Sequence, residues 1–142
     1  MQALPARVLV VDDFAPWQVF VERHLCTHPS VRVVGFAADG LEAVQKAEEL
    51  LPDLILLDVG LPKANGIEAA KQIRARARKS AILFFSDSSD PDVVRAALNA
   101  GGNGYVLKAA AGKDLIPGTK AVLNGERFLS QALTADGAGS QQ

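Results

Sequence analysis

Cysteine is almost absent from this sequence: its 142 residues hold one, Cys26, so no internal disulfide can staple the fold. A lone thiol suits a reducing compartment, and we read Cys26 as small hydrophobic filler in the core. Excess charge of one sign is missing too, since Lys+Arg 15 against Asp+Glu 16 leaves a net −1. Nucleic-acid binding driven by bulk positive charge is therefore not expected. Long apolar runs are lacking: Leu54 to Leu57 and Ile82 to Phe85 fall far short of the ~20 residues of a spanning helix. The start MQALPARV lacks the charged-then-apolar order of a leader, so we expect a cytoplasmic chain with no membrane segment. What is present, 49% hydrophobic and 22% charged residues, is the composition of a globular chain of one-domain length.

Three short apolar runs, Val8 to Val11, Leu54 to Leu57 and Ile82 to Phe85, read as strands buried on both faces. Val31 to Ala37, rich in β-branched residues, and Tyr105 to Leu107, introduced by glycines, make five strands. Between them apolar residues recur at helical spacing: Trp17, Phe20, Val21 and Leu25; Leu41, Val44, Ala47 and Leu51; Ile67, Ala70 and Ile73; Val94, Ala97 and Leu98. Asp39 with Glu42 three residues on resembles a capping box, and Asp90-Pro91 sets a cap before a first-turn proline. A fifth helix is expected from about Lys113 to Leu123, interrupted at Pro117-Gly118 and stopped by Asn124-Gly125. Strands alternating with helices need crossover connections, hence an α/β doubly wound five-stranded parallel sheet with helices on both faces.

In such a sheet the ligand crevice lies at the carboxyl ends of the strands. Those ends carry Asp12-Asp13, Asp58, Ser86-Asp87 and Lys108, from four different strands. Crowded carboxylates repel unless a cation sits among them, and an all-oxygen donor set favours Mg²⁺ over zinc. The lysine and the hydroxyl suit the oxygens of a phosphoryl group. Asp12 and Asp13, adjacent at one strand end, can share the metal, which leaves Asp58 as the candidate nucleophile for an acyl phosphate.

The set Asp12-Asp13, Asp58, Ser86 and Lys108, with VDD, LLDVGLP and GYVLK around it, resembles the response regulator receiver domain of two-component signalling. GYVLKAAAGKDL and the closing NGERFLS look most like the NarL/FixJ subfamily. The resemblance implies a flavodoxin-like strand order 2-1-3-4-5. It implies Asp58 as phosphoacceptor, with Mg²⁺ held by Asp12, Asp13, Asp58 and the backbone carbonyl of Gly60. Lys108 would pair with phosphoryl oxygens, Ser86 would be the switch hydroxyl and Tyr105 the aromatic switch. Pro62 and Gly66 fall where the family's loop after the phosphoacceptor carries a proline and a glycine. The phosphoryl donor would be a sensor histidine kinase or phosphotransfer protein, and homodimers would be possible. Residues 1–130 would form the receiver domain and 131–142 a disordered tail or linker stump, since TADGAGSQQ has no apolar periodicity. Relatives of this subfamily usually continue into a helix-turn-helix; with none in these residues, the chain alone is not expected to bind DNA. Asp87 departs from the family, which has a small residue there, and its charge is expected to slow phosphorylation.

Plainer readings of the same residues stand beside these. An acidic pair alone is a helix-start signal, and Asp13 is placed to help cap the helix that Pro16 introduces. His24 and His28 lie four apart but lack a third ligand, and RARARK from Arg74 to Lys79 reads as a solvated helix end. A dehalogenase-type phosphohydrolase needs a second Asp where Gly60 stands. A flavodoxin-like carrier needs a hydroxyl-rich loop where Asp12-Asp13-Phe14 stands. The remaining alternative is a non-phosphorylated pseudo-receiver that acts as a protein-binding module.

Overall fold

The computed structural model describes residues 4–133. Its elements alternate as the apolar pattern requires: β1 (Ala6–Val11), α1 (Ala15–Leu25), β2 (Val31–Ala37), α2 (Gly40–Leu50), β3 (Leu54–Leu57), α3 (Gly66–Arg76), β4 (Ala81–Ser86), α4 (Pro91–Asn99), β5 (Gly104–Leu107), α5 (Ala111–Leu123) and β6 (Phe128–Leu129). Every strand pairing is parallel. The sheet has six strands in the order β2-β1-β3-β4-β5-β6, so the expected five-stranded sheet gains a strand at its β5 edge. Two residues are too few to show an alternating pattern, and β6 exists through its pairing with Gly104 and Tyr105. Ser130, fully buried, completes that edge by accepting the Leu107 N–H at its Oγ (3.0 Å) and donating its own N–H to the Tyr105 carbonyl (3.1 Å).

Alternation along each strand divides the interior into two layers. Leu9, Ile55, Leu57, Ile82 and Phe84 face the small residues of α2, α3 and α4, such as Ala43, Ala47, Ala70 and Ala97. Val8, Val10, Leu56, Leu83 and Phe85 face Val21 and Leu25 of α1 and Leu115 and Val122 of α5. Helix starts follow the expected caps: Asp39 Oδ1 accepts the Glu42 N–H, and Asp90 Oδ1 accepts the Asp92 N–H. Asp13 plays no such part, because α1 opens after Phe14 with no side-chain cap.

Several expectations are corrected. Cys26 is exposed just beyond the end of α1, where no layer covers it. Leu41 and Leu51 lie outside the buried stripe, which Gly40, Ala43, Val44 and Ala47 form instead. Helix α5 runs unbroken through Pro117. The bond that proline lacks would go to the Lys113 carbonyl, and both residues lie on the exposed face, so the missing bond buries no unpaired group. Gly118 is buried there because a Cβ would come 3.0 Å from Val106 and 3.1 Å from Phe128, so it lets the helix sit close to the sheet. Arg74 is no solvated helix end: its guanidinium donates to the carbonyls of Arg78, Ser80 and Gly101 and to Asn103 Oδ1, tying α3 to the loops that precede β4 and β5. Leu133 is buried against the first layer. The tail expected from Thr134 onward lies outside the described residues.

Candidate phosphoacceptor site

Strand register builds the site. Val11 pairs with Leu57 and Leu57 with Phe84, so the residues that follow β1 and β3, Asp12 and Asp58, emerge side by side. The Asp58 N–H continues the ladder by donating to the Val11 carbonyl (3.1 Å). Ser86 pairs with Leu107, which delivers Lys108 to the same edge. The result is a cleft of about 470 Å³ lined by Asp12, Asp13, Asp58, Gly60, Ser86, Asp87 and Lys108, together with Phe14, Trp17, Val59, Ser88 and Val93. A larger cleft of about 910 Å³ lies at the other ends of the strands. Its only carboxylate, Asp53, accepts the Arg7 N–H, and it offers no comparable set of oxygens.

Oxygens of Asp12, Asp13 and Asp58 lie within 4.8 Å of one another. Asp12 is 2% exposed, Asp58 7% and Lys108 5%, whereas Asp13 faces solvent. Lys108 Nζ stands 2.7 Å from Asp12 Oδ2 and 3.3 Å from Asp58 Oδ2. Asp58 Oδ1 accepts the Gly60 N–H at 3.3 Å, and Asp12 Oδ1 accepts the Phe14 N–H at 2.9 Å. Two buried carboxylates therefore share one buried ammonium, with a third carboxylate at the mouth. A hard cation that takes oxygen ligands fits this set, because it would relieve the charge one lysine leaves uncompensated.

Burial pushes the Asp58 carboxyl up, the Lys108 charge pulls it down and the Asp12 charge pushes it up again, leaving it above the ordinary value. Burial alone would lower Lys108, but the Asp12 hydrogen bond and the charges of Asp58 and Asp12 outweigh it and hold the ammonium above its ordinary value. Because folded Asp58 binds its proton more tightly than the unfolded chain does, its charge costs stability at neutral pH, and the cost fades as pH falls through the raised value. Asp58→Asn is thus expected to melt higher than the unaltered metal-free protein at neutral pH, with the gap narrowing toward acid. Thermal denaturation across a pH series without divalent ions reads it; equal melting at neutral pH would refute the crowding.

Ser86 is 3% exposed, and its Oγ accepts the Ser88 N–H at 3.2 Å. Tyr105 does not line the cleft. It is fully buried with its ring stacked on Phe84, and its hydroxyl donates to the Ser88 carbonyl at 2.8 Å, which ties β5 to the loop after Ser86 that bears Asp87. Asp87 is exposed at the cleft. Local pattern marks Trp17 and Phe85 only as apolar positions, yet their rings lie 5.3 and 5.7 Å from Lys108 Nζ. No local signal marks Gln18, which donates to the Asp12 carbonyl (2.7 Å).

Comparison with known proteins agrees with this geometry. The nitrate/nitrite response regulator NarL of Escherichia coli K12 is 37% identical over 130 residues, which cover 92% of this chain and 60% of that protein. VraR of Staphylococcus aureus Mu3 is 35% identical over 120 residues, 84% of this chain and 57% of that protein. This chain thus spans about three-fifths of the length of the curated relatives it matches. The crystal structure of a two-component response regulator of the LuxR family from Aurantimonas sp. SI85-9A1 superposes with a TM-score of 0.92 at 31% identity, covering 96% of this chain and 98% of that one. With the response regulator receiver domain pattern matching residues 8–119, across β1 to β5 and most of α5, the chain belongs to the response regulator receiver domain family.

Proposed function

We propose that Asp58 accepts a phosphoryl group from a sensor histidine kinase or phosphotransfer protein in a Mg²⁺-dependent reaction, and that the change reaches the surface through Ser86 and Tyr105. The observation that supports this reading is the convergence of three carboxylates within 4.8 Å, two of them on a single buried lysine. Asp12, Asp13 and Asp58 side chains, with the Gly60 carbonyl, would hold the ion, which supplies neutralising charge on phosphoryl oxygens. Asp58 oxygen attacks phosphorus, a P–O bond forms, and the bond from phosphorus to the donor imidazole breaks with its electron pair leaving on nitrogen. Lys108 gives up its hold on Asp58 to pair with a phosphoryl oxygen, and the Ser86 hydroxyl turns to donate to another. Released from Ser86, the Ser88 segment can shift, and the Tyr105 hydroxyl moves with the carbonyl it holds.

Intact-mass measurement with acetyl phosphate tests this reading. One phosphoryl adduct is expected with Mg²⁺, none with chelator and none in Asp58→Asn. Absence of an adduct in the unaltered protein would overturn it in favour of a non-phosphorylated binding module. Asp87 modulates the rate in this scheme. Its carboxylate faces the same cleft but is solvated, so its repulsion of an incoming phosphoryl group sits near the aqueous ~1 kcal/mol for charges 4 Å apart rather than the ~4 of a partly buried pair. Asp87→Ala is expected to speed adduct formation about fivefold at fixed donor and Mg²⁺. A slower reaction with weaker Mg²⁺ binding would instead make Asp87 a ligand.

A further inference from the structure

The buried ammonium of Lys108 has aromatic neighbours as well as carboxylates. Its Nζ lies 5.3 Å from the centroid of the Trp17 ring and 5.7 Å from that of Phe85. Trp17 is held for this contact from two sides, edge-to-face on Phe85 (5.2 Å, 89°) and on Phe20 (5.3 Å, 77°). It also lines the cleft that contains Asp58. Lysine carries its charge on a flexible four-carbon stem, and a strongly hydrated ammonium gains by swinging out to water unless something holds it in. Asp12 and Asp58 hold it while they are free. Once a divalent ion draws on those same oxygens, that hold weakens and the ion repels the ammonium. The negative faces of the two rings are not shared with the ion and go on attracting the lysine.

From this geometry we infer that Trp17 is a positioning residue for Lys108: its indole keeps the ammonium inside the cleft when the carboxylates are engaged elsewhere, ready for the phosphoryl oxygen. The inference rests on Lys108 acting as the phosphoryl partner. Trp17 is the nearer of the two rings and the one that lines the cleft.

The test compares Trp17→Phe, which keeps a ring and the packing, with Trp17→Leu, which keeps bulk and no ring. In metal-free protein labelled at the lysine ε-carbon, ring currents should set the Lys108 ε-CH₂ proton resonance upfield of the surface lysines, and its loss in Lys108→Met assigns it. Trp17→Leu should move that resonance most of the way back to the surface lysines, and Trp17→Phe should move it only part of the way. At saturating Mg²⁺ and donor, phosphorylation should slow about fivefold in Trp17→Leu, with most of the rate regained in Trp17→Phe. An unmoved resonance in Trp17→Leu overturns the contact, and an unchanged rate overturns the positioning role. Equal slowing in both variants assigns Trp17 to packing alone and also overturns it. Because the resonance is read without metal or donor, it decides the contact independently of whether Asp58 takes up phosphate.

Discussion

Lys108→Met is expected to cut the rate of phosphorylation at Asp58 by roughly 10²-fold or more and to destabilise the metal-free protein by about 3 kcal/mol. Methionine keeps an unbranched stem of similar length in a site that is 5% exposed, so packing is nearly conserved and the charge is what goes. The rate falls because, among the described residues, no other cationic side chain lines the cleft to meet the phosphoryl oxygens. Stability falls because the carboxylates of Asp12 and Asp58, 2.7 and 3.3 Å from the lost ammonium, are left buried beside each other. Removing one member of a buried pair is more costly than removing both. Two further signatures identify the cause. With its only favourable charge gone, Asp58 rises further, so the stability deficit shrinks as pH falls. Mg²⁺ should also raise the melting temperature of the variant more than that of the unaltered protein, since it supplies the missing charge to the folded state alone. Denaturant titration and melting at several pH values, with and without Mg²⁺, measure all three. A variant as stable as the parent at neutral pH would show that the pair contributes nothing.

Gly66→Ala is expected to cost about 3 kcal/mol and to slow phosphorylation by a factor on the order of 10². Gly66 opens α3, and its N–H donates to the Val59 carbonyl at 2.8 Å. A Cβ there would lie 1.9 Å from the Asp58 carbonyl oxygen and 2.8 Å from the Asp58 carbonyl carbon and Val59 Cα. Those are backbone atoms, so no side-chain rotation relieves the clash. Either the start of α3 or the Asp58 backbone must move. The loop between them has little slack, because Lys63 and Ala64 already adopt φ of 51° and 79°, a left-handed conformation that side chains disfavour. Gly60→Ala in the same loop is the control: nothing lies within 4 Å of its added Cβ, so it should stay within about 1 kcal/mol of the parent. Chemical denaturation and the mass-adduct rate read both variants. Equal behaviour of the two would show that the close approach of α3 is not what places Asp58.

The spacing of residues carried most of the site. Asp12, Asp58, Ser86 and Lys108 were legible because each ends an apolar run or stands just past it, and a strand end is a position local pattern can mark. A switch role for Tyr105 is suggested only by resemblance; that its hydroxyl reaches the Ser88 carbonyl depends on how β5 lies against the loop after β4. Arg74 was misread because two of its partners, the Gly101 carbonyl and Asn103 Oδ1, come from a loop distant in sequence. Exposure of Leu41 and Leu51 was misread because a helical stripe fixes an angle around the helix axis, while neighbouring elements decide how much of that angle is covered.

By itself, then, the sequence determined the alternation of β1 to β5 with their helices, the two-layer core and the identity of the residues at the carboxyl edge. Periods of 2 and 3.6 are written within each segment and need no partner to be read. Only the tertiary structure decided the sixth strand, the burial of Leu133, the Trp17 ring beside Lys108 and the contact that leaves no room for a side chain at Gly66. The first three are meetings of segments far apart in the chain, and the last is set by how a short loop folds back on Asp58. Local periodicity says which face a residue turns inward, and close packing decides which atoms it meets there.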